Sequence, residues 1–235
     1  MTAKPRILLA TGNQGKIREM RAILGDRFEV LIPADLHLQI PPIVETDRSY
    51  TENAVNKATA VARASGIPAL ADDSGIEVDA LDGRPGPLSA RFGGVSCQSD
   101  EDRYRLLLRK LEGVPRSQRG ARFRAVLALA IPGNRPIVRE GVVEGRVALD
   151  ARGANGHGYD PVFEPLEAGG KTAAELTADE KNAISHRGRA LAALSEALPV
   201  VGLHVPLTAP SPTWKPFDRE ACLDGLALSG WSSSA

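Results

Sequence analysis

The order of the short apolar segments constrains the fold of this 235-residue chain more than any other feature. A strand-like run at residues 7–10 leads through a Gly-containing turn into a helical pattern that ends near Leu24, which makes a strand-turn-helix unit. Further along, the strand-like segments 122–131 and 137–149 are adjacent, which favours antiparallel pairing. The two kinds of unit together predict an α/β protein with a mixed sheet, where ligands usually bind at the carboxyl ends of strands.

The other segments fit the same fold class. In chain order they are predicted to be a strand at 28–32, a long loop at 33–49, a helix at 50–65, strands at 69–72 and 76–80, and a helix at 100–111. An Asp-Asp-Ser-Gly turn is expected between the strands at 69–72 and 76–80. The last helix is predicted to begin at Thr177, because Glu180 three residues later completes a capping-box pattern.

The balance of charges and the number of cysteines exclude several classes of protein. The 29 Lys and Arg residues balance 29 Asp and Glu residues, whereas a dedicated nucleic-acid binder usually carries a basic excess, so we expect no nucleic-acid partner. The two cysteines, Cys97 and Cys222, fit neither a metal cluster nor a disulfide framework, which indicates a reducing compartment. No apolar run approaches 18 residues, so we expect no export signal, no membrane span and a cytoplasmic protein.

A turn with two glycines follows the first predicted strand and reads Thr11, Gly12, Asn13, Gln14, Gly15 and Lys16. Backbone N–H groups at a helix N-terminus, together with a lysine, suit a polyphosphate. The spacing is not that of a P-loop, which has four residues between its glycines and a Ser or Thr after the lysine, where this chain has Ile17. An ordinary tight turn is the alternative for this motif alone.

Carboxylates on two further segments are candidates for the same site. Asp72 and Asp73 are adjacent at a predicted strand end, so their side chains point to opposite sides and only one faces a given site. The long loop supplies Glu45, and on the next helix Asn53 and Lys57 lie one turn apart, where a solvated helix face is the alternative. The Asp-Ser-Gly triplet occurs once, which disfavours an aspartic protease because that chemistry needs two such carboxylates.

The C-terminal third holds a flat ring and several cations. A ring, a flexible glycine and a carboxylate before a proline come together in His157, Gly158, Tyr159 and Asp160, which suits a heterocyclic base. Arg187 falls within the apolar stripe of the last helix, where a guanidinium needs an anion unless it reaches water. The stripe consists of Ile184, Leu191, Leu194 and Leu198, and Lys181 and His186 flank the arginine. A structured loop and structural salt bridges are the alternatives.

Taken together and in this order, five separated blocks resemble the inosine triphosphate pyrophosphatase family, also called the Ham1 or RdgB family. The blocks are residues 11–16, 52–57, 71–75 with 83–86 and 89–91, 158–161, and 180–187. The resemblance implies an elongated mixed β-sheet flanked by helices in two lobes. It implies a pyrophosphatase domain at 1–205 and leaves 206–235 as a C-terminal extension, which we expect to be loosely packed or disordered.

The resemblance also implies an activity. Family members hydrolyse ITP, dITP and XTP to the monophosphate and pyrophosphate with Mg²⁺, which keeps deaminated purines out of DNA and RNA. On the matching positions, Asp73 is the proton acceptor and holds Mg²⁺ together with Glu45. Residues 11–16 and Lys57 cradle the triphosphate, and Ser74 adds a hydrogen bond to the substrate.

The resemblance places the base near the C-terminal blocks. Residues 157–160 match the base-binding loop, and Lys181, His186 and Arg187 match positions that read the 6-oxo edge of the purine and support the phosphates. Two departures are His157, where the family usually has Phe, and Leu88, where it has an aromatic residue. The family implies a homodimer. A non-catalytic nucleotide sensor and a Maf-like pyrophosphatase with another base preference stay open as alternatives.

Overall fold

The computed structural model describes residues 4–40 and 42–197, so the predicted extension at 206–235 lies outside the described residues and the boundary near 205 stays a prediction. The described chain contains six strands in one sheet. They are β1 (Arg6–Leu9), β2 (Glu29–Leu31), β3 (Ala69–Val78), β4 (Gly120–Ala130), β5 (Ile137–Val147) and β6 (Phe163–Pro165). Their order across the sheet is β2-β1-β3-β4-β5-β6.

In the part of the chain that the structure describes, five α-helices accompany the sheet: α1 (Gln14–Leu24), α2 (Tyr50–Ser65), α3 (Asp100–Lys110), α4 (Ala178–Ile184) and α5 (His186–Ala197). Polar side chains cap the first four, at Asn13, Ser49, Ser99 and Thr177, where each oxygen accepts a hydrogen bond from a backbone N–H of the first turn. Within the described ranges, no helix has both the length and the apolar character that a membrane crossing requires.

The sheet is mixed, as the sequence predicts. β1 pairs in parallel with β2 and β3, whereas β3, β4, β5 and β6 pair antiparallel in succession. α1 and α5 pack on one face of the sheet through residues such as Met20 and Leu191, with α5 over β4 and β5, and α2 packs on the other face, over β3 and β4, through Ala58 and Val61. A second core, around Phe163, lies at the far ends of the long strands next to α3. These two lobes confirm the predicted α/β architecture.

β3 is one continuous strand, so the turn predicted at 72–75 is wrong. All 10 of its residues pair with β4. This ladder satisfies the backbone of the Asp-Asp-Ser-Gly segment in extended form and outweighs the turn preference of those residue types. Gly75 is required there, since the Gly86 carbonyl and the Ser89 hydroxyl lie where a Cβ would project. The two adjacent carboxylates therefore project from the middle of a central strand.

Two helices replace the single one predicted from Thr177. The start is confirmed, because Thr177 Oγ1 accepts from the Glu180 backbone N–H at 3.2 Å and a Glu180 carboxylate oxygen accepts from the Thr177 N–H at 2.8 Å. The helix then stops at Ser185, whose backbone is extended with φ −72° and ψ 150°. The Ser185 hydroxyl accepts from the Gly188 N–H at 2.9 Å and so begins α5. Leu198, the end of the predicted stripe, lies outside the described residues.

Candidate active site

The adjacent carboxylates of β3 face opposite sides of the sheet. Asp72, which is 1% exposed, binds Lys16 of α1 and accepts from Arg187 Nε of α5 at 2.9 Å. Asp73 accepts from Lys57 Nζ at 2.7 Å and from Asn53 Nδ2 at 3.0 Å, both on α2. Side chains alternate along a strand, which gives each carboxylate its own helices as partners. The sequence predicted this separation.

Lys57 brings Glu45 to Asp73. Its ammonium donates to Glu45 Oε1 at 2.9 Å, to Asp73 Oδ1 at 2.7 Å and to the Asp72 carbonyl at 3.0 Å. Asn53 fixes the loop that carries Glu45, because it accepts from the Thr46 N–H at 2.7 Å and donates to the Thr46 carbonyl at 2.9 Å. Two carboxylates that are 28 residues apart in sequence therefore converge on one point.

The Gly-containing turn forms one wall of an open cleft of about 570 Å³. Asn13 caps α1 by accepting from the Lys16 N–H at 3.1 Å, and Thr11 Oγ1 accepts from the Asn13 N–H at 3.2 Å. The N-terminus of α1 therefore lies at the cleft, where Asn13, Gln14 and Lys16 line the wall. Nine residues predicted for the site line it: Thr11, Gly12, Asn13, Gln14, Lys16, Glu45, Lys57, Asp73 and Ser74.

A second, smaller cavity of about 80 Å³ adjoins the cleft, since Asn13, Lys16 and Ser74 line both. It contains the predicted base-binding residues, namely His157, Gly158, Tyr159, Asp160, His186 and Arg187. His186 stacks on Phe123 with ring centroids 4.9 Å apart, and Leu88, one of the departures, is 39% exposed. Of the predicted site residues, Gly15 and Lys181 line neither cavity, so their effect on a ligand passes through neighbours.

Gly15 lies directly beneath the ring of His157. A Cβ at Gly15 would be 2.5 Å from the His157 Cγ atom, a distance that real Cβ contacts do not show. The turn at 11–16 and the loop at 157–160 therefore touch, and a glycine at this position allows the approach. The His157 backbone N–H donates to Asp160 Oδ2 at 2.7 Å, and the same oxygen accepts from Lys181 Nζ at 2.6 Å. Lys181 thus fixes the loop at 157–160 through Asp160.

Glu19 is a site residue that the sequence analysis missed. Its carboxylate accepts from Lys181 Nζ at 2.6 Å, binds Arg187, and lies 3.6 Å from His157 Nδ1. Although burial opposes ionisation, these cations lower the pKa of Glu19 to about 2. The available signal was its position one turn after Lys16, which places both side chains on one face of α1.

Burial and pairing shift several ionisations. Burial raises the pKa of Asp73 despite Lys57, whereas Arg187 and Lys16 overcome burial and hold the pKa of Asp72 far below its ordinary value. Contacts with Asp73 and Glu45 raise the pKa of Lys57 even though burial acts in the other direction. Burial and the nearby Arg187 lower the pKa of His157 and that of His186, so both rings are neutral at neutral pH.

The charges around the two cavities nearly cancel. Six cations face six carboxylates: the cations are Lys16, Lys57, Arg91, Arg103, Lys181 and Arg187, and the carboxylates are Glu19, Glu45, Asp72, Asp73, Asp100 and Asp160. A polyphosphate therefore needs further positive charge, and hard carboxylate oxygens suit a hard divalent ion. Glu45 and Asp73 fit this role because both line the open cleft.

A second group of possible ligand atoms, on Glu19, His157 and Asp160, lies within 4.8 Å. Lys181 binds the carboxylates of Glu19 and Asp160, and Arg187 also binds Glu19. Glu45 and Asp73 are also bound by a lysine, but they line the open cleft, whereas Glu19 lines neither cavity, which disfavours this second group as a metal site.

Comparison with known proteins gives concordant matches. The profile of the Ham1 family matches residues 7–197. A dITP/XTP pyrophosphatase of Symbiobacterium thermophilum is 46% identical over 200 residues, covering 85% of this chain and 98% of the relative. That of Streptomyces avermitilis is 48% identical over 198 residues, with coverage of 83% and 96%. A solved Ham1 protein of Coxiella burnetii superposes with a TM-score of 0.73 at 41% identity, covering 83% of this chain and 99% of that one.

Proposed function

Because the chain belongs to the Ham1 family, we propose that it hydrolyses dITP, XTP and ITP between the α- and β-phosphates, releasing the nucleoside monophosphate and pyrophosphate. Such an enzyme removes deaminated purines from the nucleotide pool before polymerases use them. The observation that carries the proposal is the convergence of Glu45 and Asp73 on Lys57 at 2.9 and 2.7 Å, beside a helix N-terminus that lines the same cleft.

At the phosphate end, the turn at 11–16 supplies backbone N–H groups and the ammonium of Lys16. Lys57 adds a second cation, and its contacts with the Asp73 and Glu45 carboxylates keep its amino group protonated. Each cation is bound to carboxylates, so its position is fixed before the substrate arrives. Groups that are already oriented lose little entropy on binding and therefore stabilise the transition state more than mobile groups do.

We propose that Glu45 and Asp73 hold a divalent metal ion, Mg²⁺ in the cell. Support comes from the carboxylate oxygens, which are the ligands that Mg²⁺ prefers, and from the near-zero net charge around the cavities. When bound, such an ion neutralises charge on the phosphates and on the leaving pyrophosphate.

Asp73 is the residue that we propose accepts the proton of the attacking water. Its carboxylate lines the open cleft, and Lys57 Nζ, at 2.7 Å from Oδ1, holds it there. Asn53, at 3.0 Å from one carboxylate oxygen and itself 1% exposed, keeps the group in a single orientation. Water attacks the α-phosphorus as the bond to the bridging oxygen breaks, and the proton of the water passes to Asp73.

The small cavity is the proposed base site. Arg187 and His186 line it, and Ser74 lies at the junction with the cleft, with its hydroxyl fixed by Arg187 Nη2 at 2.9 Å. Donors at this end favour a purine with a 6-oxo group over adenine, whose amino group leaves a donor without an acceptor. An unpaired buried donor costs about 1–3 kcal/mol, so dATP should be a poor substrate.

The family implies two further properties that belong to the proposal. We propose that the enzyme works as a homodimer and in the cytoplasm, where nucleoside triphosphates are used for synthesis. Light scattering of the purified protein checks the dimer, since an isologous pair has twice the 24.9 kDa mass of one chain. Fractionation of the source cells checks the compartment.

The decisive experiment measures pyrophosphate and orthophosphate release from dITP, XTP, dATP, dGTP and dTTP, with Mg²⁺ and with a chelator. We expect pyrophosphate from dITP and XTP alone, and only with the metal, with dGTP, which shares the 6-oxo group, rejected through its 2-amino group. Tight binding of dITP without turnover would favour a sensor. Turnover of another nucleotide of the panel instead, such as dTTP, would keep the hydrolytic chemistry and overturn the base assignment.

A further inference from the structure

Asp100, the first residue of α3, reaches across the small cavity to the base loop. Its Oδ2 atom accepts from the Gly158 backbone N–H at 2.8 Å, a bond that joins residues 58 positions apart. Both residues line the small cavity. The contact therefore ties the wall of the proposed base site to the second lobe.

The carboxylate of Asp100 is held in place by its own helix. Its Oδ1 atom accepts from Arg103 Nη2 at 2.6 Å, one turn further along α3. Burial would raise the pKa of Asp100, but the bonds from Arg103 and from the Gly158 N–H lower it, which favours the ionised carboxylate in this arrangement. The side chain of Arg103 is only 17% exposed, which restricts its motion and that of its partner.

The loop needs this anchor because Gly158 has a left-handed backbone with φ +65°. Glycine adopts many other conformations at little cost, so nothing intrinsic to residue 158 keeps the loop in this shape. His157 is held by Asp160, and Tyr159 donates to the Ser89 carbonyl at 2.8 Å. Between these two fixed neighbours, the Gly158 N–H has Asp100 as its partner.

We propose that Asp100 is a positioning residue for the base loop, setting the affinity for the nucleobase through its bond to Gly158 without contacting the reacting phosphates. The inference rests on the proposed function and names a residue that this function does not use. Its consequence is a separation of two affinities. Loss of the bond should weaken the binding of nucleotides, which carry a base. It should leave the binding of pyrophosphate unchanged, because pyrophosphate occupies the phosphate end alone.

The test compares KM and kcat for dITP with the inhibition constant of pyrophosphate in Asp100→Ala, Asp100→Asn and Asp100→Glu. Asp100→Ala should raise KM about tenfold, the value of one hydrogen bond to a charged group, with kcat and the pyrophosphate constant within about twofold. Asp100→Asn keeps an oxygen at the same reach, so its KM should stay within about threefold of wild type. Asp100→Glu keeps the charge and the helix stability but shifts the acceptor, so its KM should rise.

The matched control is Glu101→Ala, which removes a carboxylate from the same turn of α3. The Glu101 carboxylate pairs with Arg105 and not with the base loop. This substitution should leave KM unchanged. Three results would each overturn the positioning role. The first is an equal rise of KM in Glu101→Ala, and the second is a raised KM in Asp100→Asn together with a wild-type KM in Asp100→Glu. The third is a rise of the pyrophosphate inhibition constant in parallel with KM. Absence of dITP turnover in the wild-type enzyme would overturn the proposed function instead.

Discussion

Replacing Arg187 by alanine should destabilise the fold as well as impair the enzyme. The guanidinium is 3% exposed and binds Asp72, Glu19 and the Ser74 hydroxyl at once. The sequence suggested a cation waiting for the substrate's anions, but the structure places two anions of the protein itself on this group. Its removal leaves the buried Asp72 and the largely buried Glu19 each with one cation fewer.

The expected magnitude follows from the burial of the pairs. Breaking a buried ion pair by removing one partner typically costs about 3–5 kcal/mol, because the remaining charge is neither solvated nor neutralised. Lys16 still binds Asp72, and Lys181 still binds Glu19, which places the expected loss at the lower end of that range. For a chain of this size, that loss lowers the melting temperature by on the order of 10 °C.

Thermal and urea unfolding at pH 7 measure this change, with Arg189→Ala as the matched control. Arg189 lies two residues further along α5, pairs with Glu167 and is 40% exposed, so its loss should cost less than about 1 kcal/mol. An Arg187→Ala protein that unfolds within about 1 kcal/mol of wild type would refute the reasoning, since it would mean that Asp72 and Glu19 do not depend on this cation.

Three further predictions follow. Asp73→Asn should lower kcat by about 100-fold or more with little change in melting temperature, and a folded variant with normal kcat would remove Asp73 from proton transfer. Gly15→Ala should displace the His157 ring and raise KM for dITP, although alanine favours the helix; an unchanged KM would show that the ring moves freely. Burial lowers the pKa of His186 in the folded chain, so below about pH 6.5 the unfolded chain binds a proton that the folded chain does not bind. The free energy of unfolding should therefore fall from pH 7 to pH 5. His186→Phe, which keeps the stack on Phe123, should make this pH dependence weaker.

The sequence by itself determined what depends on near neighbours. The cap at Asn13, the capping box at Thr177 and the alternation of Asp72 and Asp73 all follow from residues within a few positions of one another. The mixed sheet followed from the order of strand-like and helical segments. Local hydrogen bonds and side-chain periodicity are encoded in short stretches, and these are the features that a single sequence displays.

Only the tertiary structure decided the partners of the buried charges. Arg187 meets Asp72 from 115 residues away and Glu19 from 168 residues away, and no spacing in the sequence indicates either pair. The same limit explains the wrong turn in β3, where pairing with β4 kept an Asp-Asp-Ser-Gly segment extended. A buried charge must be neutralised by whatever the fold packs against it, and strand pairing can override local preference, so these features exist only once distant segments meet.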